Sequence, residues 1–406
     1  MDRRTLLKLL AAAALAGCDT RDKSATPLKI VVAGAGIIGA SIAFHLAKAG
    51  AAVTIIDKEG PATHASRGTF AWINATWAKQ PRSYHAFSQE SVANWHDLQQ
   101  ELDLPVRWGG SLEWFDNADR QDTLAAQIAE QVAWGVPARM VSAEEFTKLE
   151  PGIRPGASIT AAFSPDDGAV DPVLATHRLL AAAEALGATL RYPTTLMDVL
   201  LTNGRLTSVI TSSGSIPADR LVLATGAAKN LPEQIAGIKI PQRSGPGVIV
   251  VTHPAPRRLQ HIISAPGVHM HQRDDERIVL GEQDGAPDND AHTVRLQGRP
   301  NRFPDPAIAE QHATRILAIA EKYSPGIAGV RIEHVYIGWR PLPIDGHPVI
   351  GASAERPDVY LAIMHSGVTL APIVGQLAAQ ELTTGVTIDL LKGYRPDRVF
   401  EEIKRY

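Results

Sequence analysis

Residues able to do chemistry gather in a few short stretches of this chain. Gly34-Ala35-Gly36-Ile37-Ile38-Gly39 sets three glycines at the spacing G-x-G-x-x-G, and Asp57 closes the next apolar run. That combination suits a dinucleotide. Gly34 permits a tight turn, Gly36 lets a phosphate come up to the backbone, and Gly39 lets a helix pack closely on a sheet. The helix start then offers free N–H groups and a partial positive charge to a pyrophosphate. Asp57 can accept hydrogen bonds from the adenosine ribose hydroxyls. Two further stretches hold histidines. In Gly267-Val268-His269-Met270-His271, alternation puts His269 and His271 on one face of a strand. Local spacing suggests no third ligand, so no metal is expected there. His365 stands immediately before Ser366-Gly367.

The elements that must hold these groups surround them. Leu28 to Ala33 is rich in Ile and Val and fits a buried parallel strand. "ASIAFHLAKAG" continues as a helix, and Ala52 to Ile56 as a second strand. His45 falls inside that helix and reads as packing or surface. No second glycine fingerprint of this quality follows, so a separate NAD(P) unit is not expected. "ADRLVLATGA" reads as another buried strand, ending at Thr225-Gly226, the kind of return a flavoprotein chain makes past its own dinucleotide. "GVHMHQRDDERIVLGE" reads as a hairpin turning near Asp274-Asp275. "DVYLAIMHSGVTLAPIVGQLAAQELTTG" reads as a strand, a Ser366-Gly367 turn and an amphipathic helix. The start of that helix would face an acceptor that gains negative charge, as the N1–C2 carbonyl region of a flavin does on reduction. FAD is therefore the expected cofactor.

Taken in order, these stretches with "ATHASRGTFAWIN", "GGSLEWF", "DDGAVDPVLATHRLLAAAEALGA", "GWRPLPIDGHPVIG" and "HSGVTLAP" run nearly end to end. The chain so read resembles the D-amino acid oxidase family of FAD enzymes, which includes glycine oxidase, sarcosine oxidase and D-amino acid dehydrogenase. The resemblance implies an α/β chain (α+β overall) with two domains. A doubly wound, Rossmann-like FAD domain would take residues 28–79, 151–237 and 333–406. A substrate domain on an antiparallel sheet would take 80–150 and 238–332. It also implies oxidation of a small-molecule amine or amino acid by hydride transfer to the flavin. The imine product would hydrolyse to an oxo acid or aldehyde. A 2-hydroxy acid or a secondary amine is the alternative substrate. A flavin-carrying binding protein without turnover is the alternative function.

The resemblance assigns residues as well. In amino-acid-oxidising members the arginine of this Arg-Pro clamps the substrate carboxylate, and Arg340 matches it; a guanidinium fork suits a carboxylate. His269 stands where relatives carry a tyrosine over the substrate, and His365 stands near the expected flavin edge. These three are the expected catalytic residues. The expected cofactor contacts are Gly34, Gly36, Ile37, Ile38, Gly39, Asp57 and Lys58, then Ser66, Gly68 and Thr69, then Thr225 and Gly226, then Gly338, and last Ser366, Gly367, Val368 and Thr369. Arg67 would pair with a phosphate or face solvent. His64 is a conceivable point of covalent FAD attachment; attachment through cysteine is excluded, because the chain beyond Cys18 has none.

Composition bounds the rest. The chain has 406 residues and a formal net charge of −3, which leaves no electrostatic footprint for nucleic acid. Its length suits two or three domain-sized units. With one cysteine it has no internal disulfide and no cysteine-based metal or redox site. That cysteine lies in the opening segment. Arg3-Arg4-Thr5-Leu6-Leu7-Lys8 resembles a twin-arginine export signal, and the apolar run to Ala16 is too short to span a bilayer. Leu15-Ala16-Gly17-Cys18 resembles a lipobox, in which the cysteine is lipidated; Asp19 resembles an inner-membrane retention residue. Residues 1–27 are thus expected to be signal peptide and tether. The expected location is the periplasm, with a lipid anchor at Cys18 as the only membrane contact. Anchoring favours a dehydrogenase that passes electrons to a quinone or carrier over an oxidase. The twin-arginine route carries folded proteins, which suits a chain that must load FAD between three segments before crossing.

Overall fold

The structure, a computed structural model, describes residues 26–75, 79–156, 160–228, 230–283, 300–303 and 305–403. The twin-arginine stretch and Cys18 lie outside the described residues. β1 (Lys29–Ala33) leads through the glycine turn into α1 (Ile37–Lys48), and β2 (Ala52–Ile56) follows. β1 lies inside a six-stranded sheet, flanked in parallel by β2 and by the strand Arg220–Leu223. Thr189–Arg191 extends the sheet beyond β2, and Val359–Ile363 extends it beyond Arg220–Leu223. Val349–Ala352 closes one edge in antiparallel sense. The near-continuous Ile/Val/Leu runs of these strands follow from burial on both faces. On one face lie α1 and the helices Arg82–Leu102, Pro172–Ala185 and Gly367–Thr384. On the other lie a three-stranded antiparallel meander over 196–217 and the short helix Leu231–Ala236.

The second large sheet has eight strands, ordered Ile332–Pro343, Gln242–Thr252, Ile278–Gly281, Val268–Gln272, Ile262–Ala265, Ser111–Glu113, Thr160–Ser164 and Arg139–Ser142. Neighbours are antiparallel except Ile262–Ala265 with Ser111–Glu113. Alternation gives its two faces different chemistry. Val250, Leu280, Met270, Ile263 and Leu112 pack into an apolar cluster with Ala313, Ile316 and Ala320 of the helix Pro306–Tyr323. Ile249, Gly281, His269, Ser264 and Glu113 are cross-strand neighbours on the opposite face.

The sheets divide the chain differently from the expected boundaries at two places. Thr160–Ser164 pairs with Ser111–Glu113, and Ile332–Pro343 pairs along its length with Gln242–Thr252. Both strands belong to the eight-stranded sheet, not to the parallel one, although Thr160–Ser164 falls inside 151–237 and all of Ile332–Pro343 but its first residue falls inside 333–406. An apolar run marks a strand but does not name its partner, which is set by register and turn geometry. Arg340 therefore sits on the antiparallel sheet.

Candidate active site

A cavity of about 1560 Å³ opens between the carboxyl ends of the parallel strands and the face of the antiparallel sheet. One small-molecule pocket typically takes ~300–1,000 Å³, so there is room for a cofactor and a substrate together. Gly34, Gly36, Ile37, Ile38, Asp57 and Lys58 line it beside β1 and β2. Gly34 has φ +111, and a Cβ there would stand 2.8 Å from the Ala224 carbonyl carbon, so only glycine makes this turn. α1 starts at Gly36 with no side-chain cap and no acid in its first turn. Its partial positive charge is thus directed into the cavity. Ser66 covers one side of that turn: its Oγ accepts from Ile37 N at 2.9 Å. Asp57 is fixed by three backbone donors, Ala35 N at 2.9 Å to one oxygen and Glu59 N and Gly60 N at 2.9 and 3.0 Å to the other.

A second uncapped helix start reaches the same space. Ser366, at φ +58, precedes Gly367–Thr384, which has no side-chain cap and no acid in its first turn. Ser366, Gly367, Val368 and Thr369 all line the cavity. Four contacts hold this turn still. Asn74 N donates to Thr369 Oγ1 at 3.1 Å, and Thr369 Oγ1 donates to the Trp72 carbonyl at 3.3 Å. Ser91 Oγ donates to the Thr369 carbonyl at 2.7 Å, and Trp95 Nε1 to the Val368 carbonyl at 2.9 Å. Arg340 faces the cavity from the antiparallel sheet, opposite Gly245, with Nη2 donating weakly to the Pro246 carbonyl at 3.4 Å. His269, almost fully buried, presents its ring to the cavity beside Phe70 and Trp72, with centroids at 5.3 and 5.6 Å. The Trp72 indole is anchored from behind by buried Asp167, which accepts from Trp72 Nε1 at 2.8 Å and from Ser111 Oγ at 2.7 Å.

Residues 29–381 match the family model DAO, FAD dependent oxidoreductase. The chain belongs to this family of FAD-dependent oxidoreductases. Several relatives span it nearly whole. One of the subunits of opine oxidase from Agrobacterium tumefaciens (strain Ach5) is 25% identical over 91% of this chain and 97% of its own. L-proline dehydrogenase from P. horikoshii superposes with a TM-score of 0.77 at 26% identity, covering 91% of this chain and 97% of its own. Glycine oxidase from Geobacillus kaustophilus gives a TM-score of 0.80 at 22% identity, covering 92% and 100%, a likeness of fold.

FAD is the cofactor of this family, and the cavity of this oxidoreductase fits it. The Gly34 and Gly36 cradle would be filled by side chains, and two helix starts whose N-cap residues make no side-chain cap face the space. The Thr225 hydroxyl is buried on the wall with no hydrogen-bond partner among the described residues. Ser66, Gly68, Thr69, Gly226 and His365 also reach the wall. Two expected contacts do not. Gly39 packs α1 on the turn, where a Cβ would stand 3.0 Å from the Gly34 carbonyl carbon. Gly338 lies against Gly68, where a Cβ would stand 2.8 Å from that residue's carbonyl carbon; it lets strand and loop cross and is not on the cavity wall.

The structure places the remaining positions as follows. Arg67 neither lines the cavity nor faces open solvent: its guanidinium lies 4.9 Å over the Tyr336 ring, and burial lowers its pKa. His64 is on the wall and pairs with Glu59 at 2.9 Å. His271 is off the wall. Its Nε2 donates to the Phe70 carbonyl at 3.0 Å, and burial, with Arg273 nearby, pushes its pKa down to about 3. His45 packs where α1 meets Gly375. Sequence reasoning missed Phe70, Trp72, Lys79 and Glu113 on the wall and Asp167 behind it. Lys79 is buried, donating to the Asn74 carbonyl at 2.8 Å and to Ser88 Oγ at 3.1 Å. Only Phe70 and Trp72, in the aromatic-bearing stretch after the nucleotide unit, carried a local signal.

Proposed function

We propose that this oxidoreductase oxidises a small amine or amino acid at the carbon beside nitrogen. The carrying observation is that the Arg340 guanidinium shares one cavity with the uncapped start of Gly367–Thr384. A guanidinium fork holds a carboxylate bidentately and so fixes which hydrogen of the substrate is presented. Phe70, Trp72 and His269 form an aromatic wall that keeps water from that hydrogen. The start of the helix favours the negative charge that builds up beside it as two electrons arrive. FAD, when bound, supplies the hydride acceptor. The amine nitrogen contributes its lone pair as the hydride leaves, giving an iminium ion (an imine once its proton is lost); water adds to that carbon and expels the nitrogen as ammonia or free amine, leaving an oxo acid or aldehyde. The names of the opine oxidase and the L-proline dehydrogenase support an amine substrate, including a secondary one.

The acceptor and location are part of the proposal. Arg3-Arg4 and Cys18 support export to the periplasm and a lipid anchor at the inner membrane. An anchored enzyme is placed to pass electrons to a quinone or carrier, as a dehydrogenase. The test is anaerobic titration of the holoprotein with amino acids of both hands, glycine, sarcosine, proline and 2-hydroxy acids, followed by air. Bleaching of the flavin by an amine, with slow recovery in air, is expected. Bleaching by hydroxy acids alone would replace the amine reading, and bleaching by nothing would favour a flavin-carrying binding protein.

A further inference from the structure

We infer that the end of the parallel sheet opposite the cavity is a docking surface for a lipid bilayer, so that the protein rests on the membrane by this end as well as by its anchor. The inference rests on the export and anchoring reading above and adds the orientation of the molecule. Large apolar side chains exposed singly are ordinary, whereas a group of them around one end marks an interaction surface. Leu200 and Leu201 are 52% and 39% exposed, Leu186 is 50% exposed and Val386 is 63% exposed. They are far apart in sequence, and the topology brings all four to the amino ends of the parallel strands.

Register and hydrogen bonds locate each one. The strand Leu196–Thr202 leaves the cavity wall at Leu196 and turns at Asn203-Gly204 into its antiparallel partner Arg205–Thr211. That turn lies at the amino ends, because Leu206 N donates to Asp358 Oδ2 at 3.1 Å and Asp358 directly precedes the strand Val359–Ile363. Leu186 caps the helix Pro172–Ala185 and precedes Thr189, which pairs with Thr54 near the start of β2. In Gly367–Thr384, Glu381 accepts from the Tyr360 hydroxyl at 2.8 Å, and Tyr360 is the second residue of its strand. Val386 follows that helix and so lies past the strand ends. Five steps of about 4.8 Å across the six strands make this end roughly 24 Å wide, so the four side chains surround one small face.

The start of the chain says what covers this face. Lys29 opens β1 at the same end, where its backbone N–H donates to Asp219 Oδ2 at 2.8 Å. Cys18, outside the described residues, precedes Lys29 by eleven positions, so a lipid on it lies at most about 40 Å from the start of β1. An anchored molecule is thus held with this end nearest the bilayer. Settling onto it removes the four side chains from water. Arg205 pairs with Thr202, next to Leu201, and 73% of its side chain is exposed, with Nε 3.6 Å from Asp358. Its guanidinium is placed to meet lipid phosphate while the leucines enter the acyl boundary. The cavity, at the carboxyl ends of the same strands, then faces water.

The chain has one cysteine, which acylation consumes, so a second one can be labelled alone. The test places an environment-sensitive fluorophore on Leu186→Cys, Leu200→Cys or Val386→Cys in the cell-processed holoprotein. Each is then mixed with vesicles of phosphatidylethanolamine and phosphatidylglycerol that carry a spin-labelled lipid. Leu174→Cys is the control, apolar and 39% exposed but in the first turn of the helix that ends before Leu186. The three sites should lie about 5–10 Å into the bilayer boundary and be quenched at least about twofold more than Leu174. Equal quenching at all four sites, or at none, would overturn the inference. A blue shift at the three sites that grows with protein concentration without lipid would also overturn it, because a second copy would then cover the face. The mass of the N-terminal peptide reads the anchor separately. An acylated Cys18 with no preference among the sites leaves the anchor standing and this inference refuted. Where Cys18 carries no lipid, the anchor is refuted and the labels are read with Cys18→Ser in the same chain. Lipid-dependent quenching at the three sites then upholds the surface by itself, and its absence refutes both.

Discussion

At the scale of single residues, the site depends on groups held from behind. His271 is the clearest case, a neutral imidazole that keeps the Phe70 carbonyl, and so the aromatic wall, in place. Its pKa is about 3 in the fold against about 6.5 in an unfolded chain. The fold therefore binds fewer protons than the unfolded chain between those values. Stability contributed by His271 is complete above pH ~6.5 and falls by up to about 1.4 kcal/mol per pH unit as pH drops through that window. Denaturant unfolding of the holoprotein and of His271→Gln, from pH 7 to pH 4, should show the variant losing less; parallel curves would refute this. Arg340→Leu should cut kcat/KM for an amino acid by at least about a hundredfold, ~2.7 kcal/mol, with FAD content unchanged. Loss of FAD instead would mean that Arg340 serves the fold. The glycine fingerprint and Asp57 were legible because their constraints are local to one turn. Asp167 and Glu113 were not, because what a lone carboxylate does depends on which strand it is laid beside.

At the scale of elements, close approach does much of the positioning. α1 and Gly367–Thr384 carry the two helix starts of the cavity, and they cross where Ser41 Oγ donates to the Ala371 carbonyl at 2.6 Å. Gly375 permits this. A Cβ there would meet Ser41 Oγ and stand 2.7 Å from His45 Nδ1. Helix propensity alone would make Gly375→Ala stabilising by about 1 kcal/mol. Overpacking should reverse the sign and cost about 1–3 kcal/mol, read as a lower denaturation midpoint with reduced FAD retention. Ser41→Gly in the same chain should recover only part, since the Ser41 carbonyl carbon would still lie at 2.9 Å. A neutral or stabilising Gly375→Ala would show that the helices can part without consequence. Helix existence was readable from apolar spacing and from the glycine after the turn. The crossing was not, since a mid-helix glycine such as Gly375 gives no sign of its partner.

For the whole molecule, the cavity is shared property. Its walls come from both sheets, so a ligand filling it ties them together. Free FAD at a hundredfold above its dissociation constant should add about 2.7 kcal/mol to stability, and the unfolding temperature should climb with FAD concentration. A midpoint indifferent to FAD would place the cofactor elsewhere. The two-sheet plan was foreseeable from strand order and family likeness, while the membership of Thr160–Ser164 and Ile332–Pro343 was not, because pairing over long sequence distances leaves no local mark.

The placement of β1 has a further cost in time. Its backbone meets Asp219, 190 residues on, and Arg220–Leu223 in turn leans on Val359–Ile363. At ~5–20 residues per second on the ribosome, roughly 10 to 40 s separate the synthesis of Lys29 from that of Leu223. Through that interval a strand of almost unbroken Ile and Val has β2 on one side only, and its other, open edge invites pairing with other chains. The nascent protein should therefore depend on holding chaperones until its last third emerges, and cofactor capture should follow release from the ribosome, never precede it.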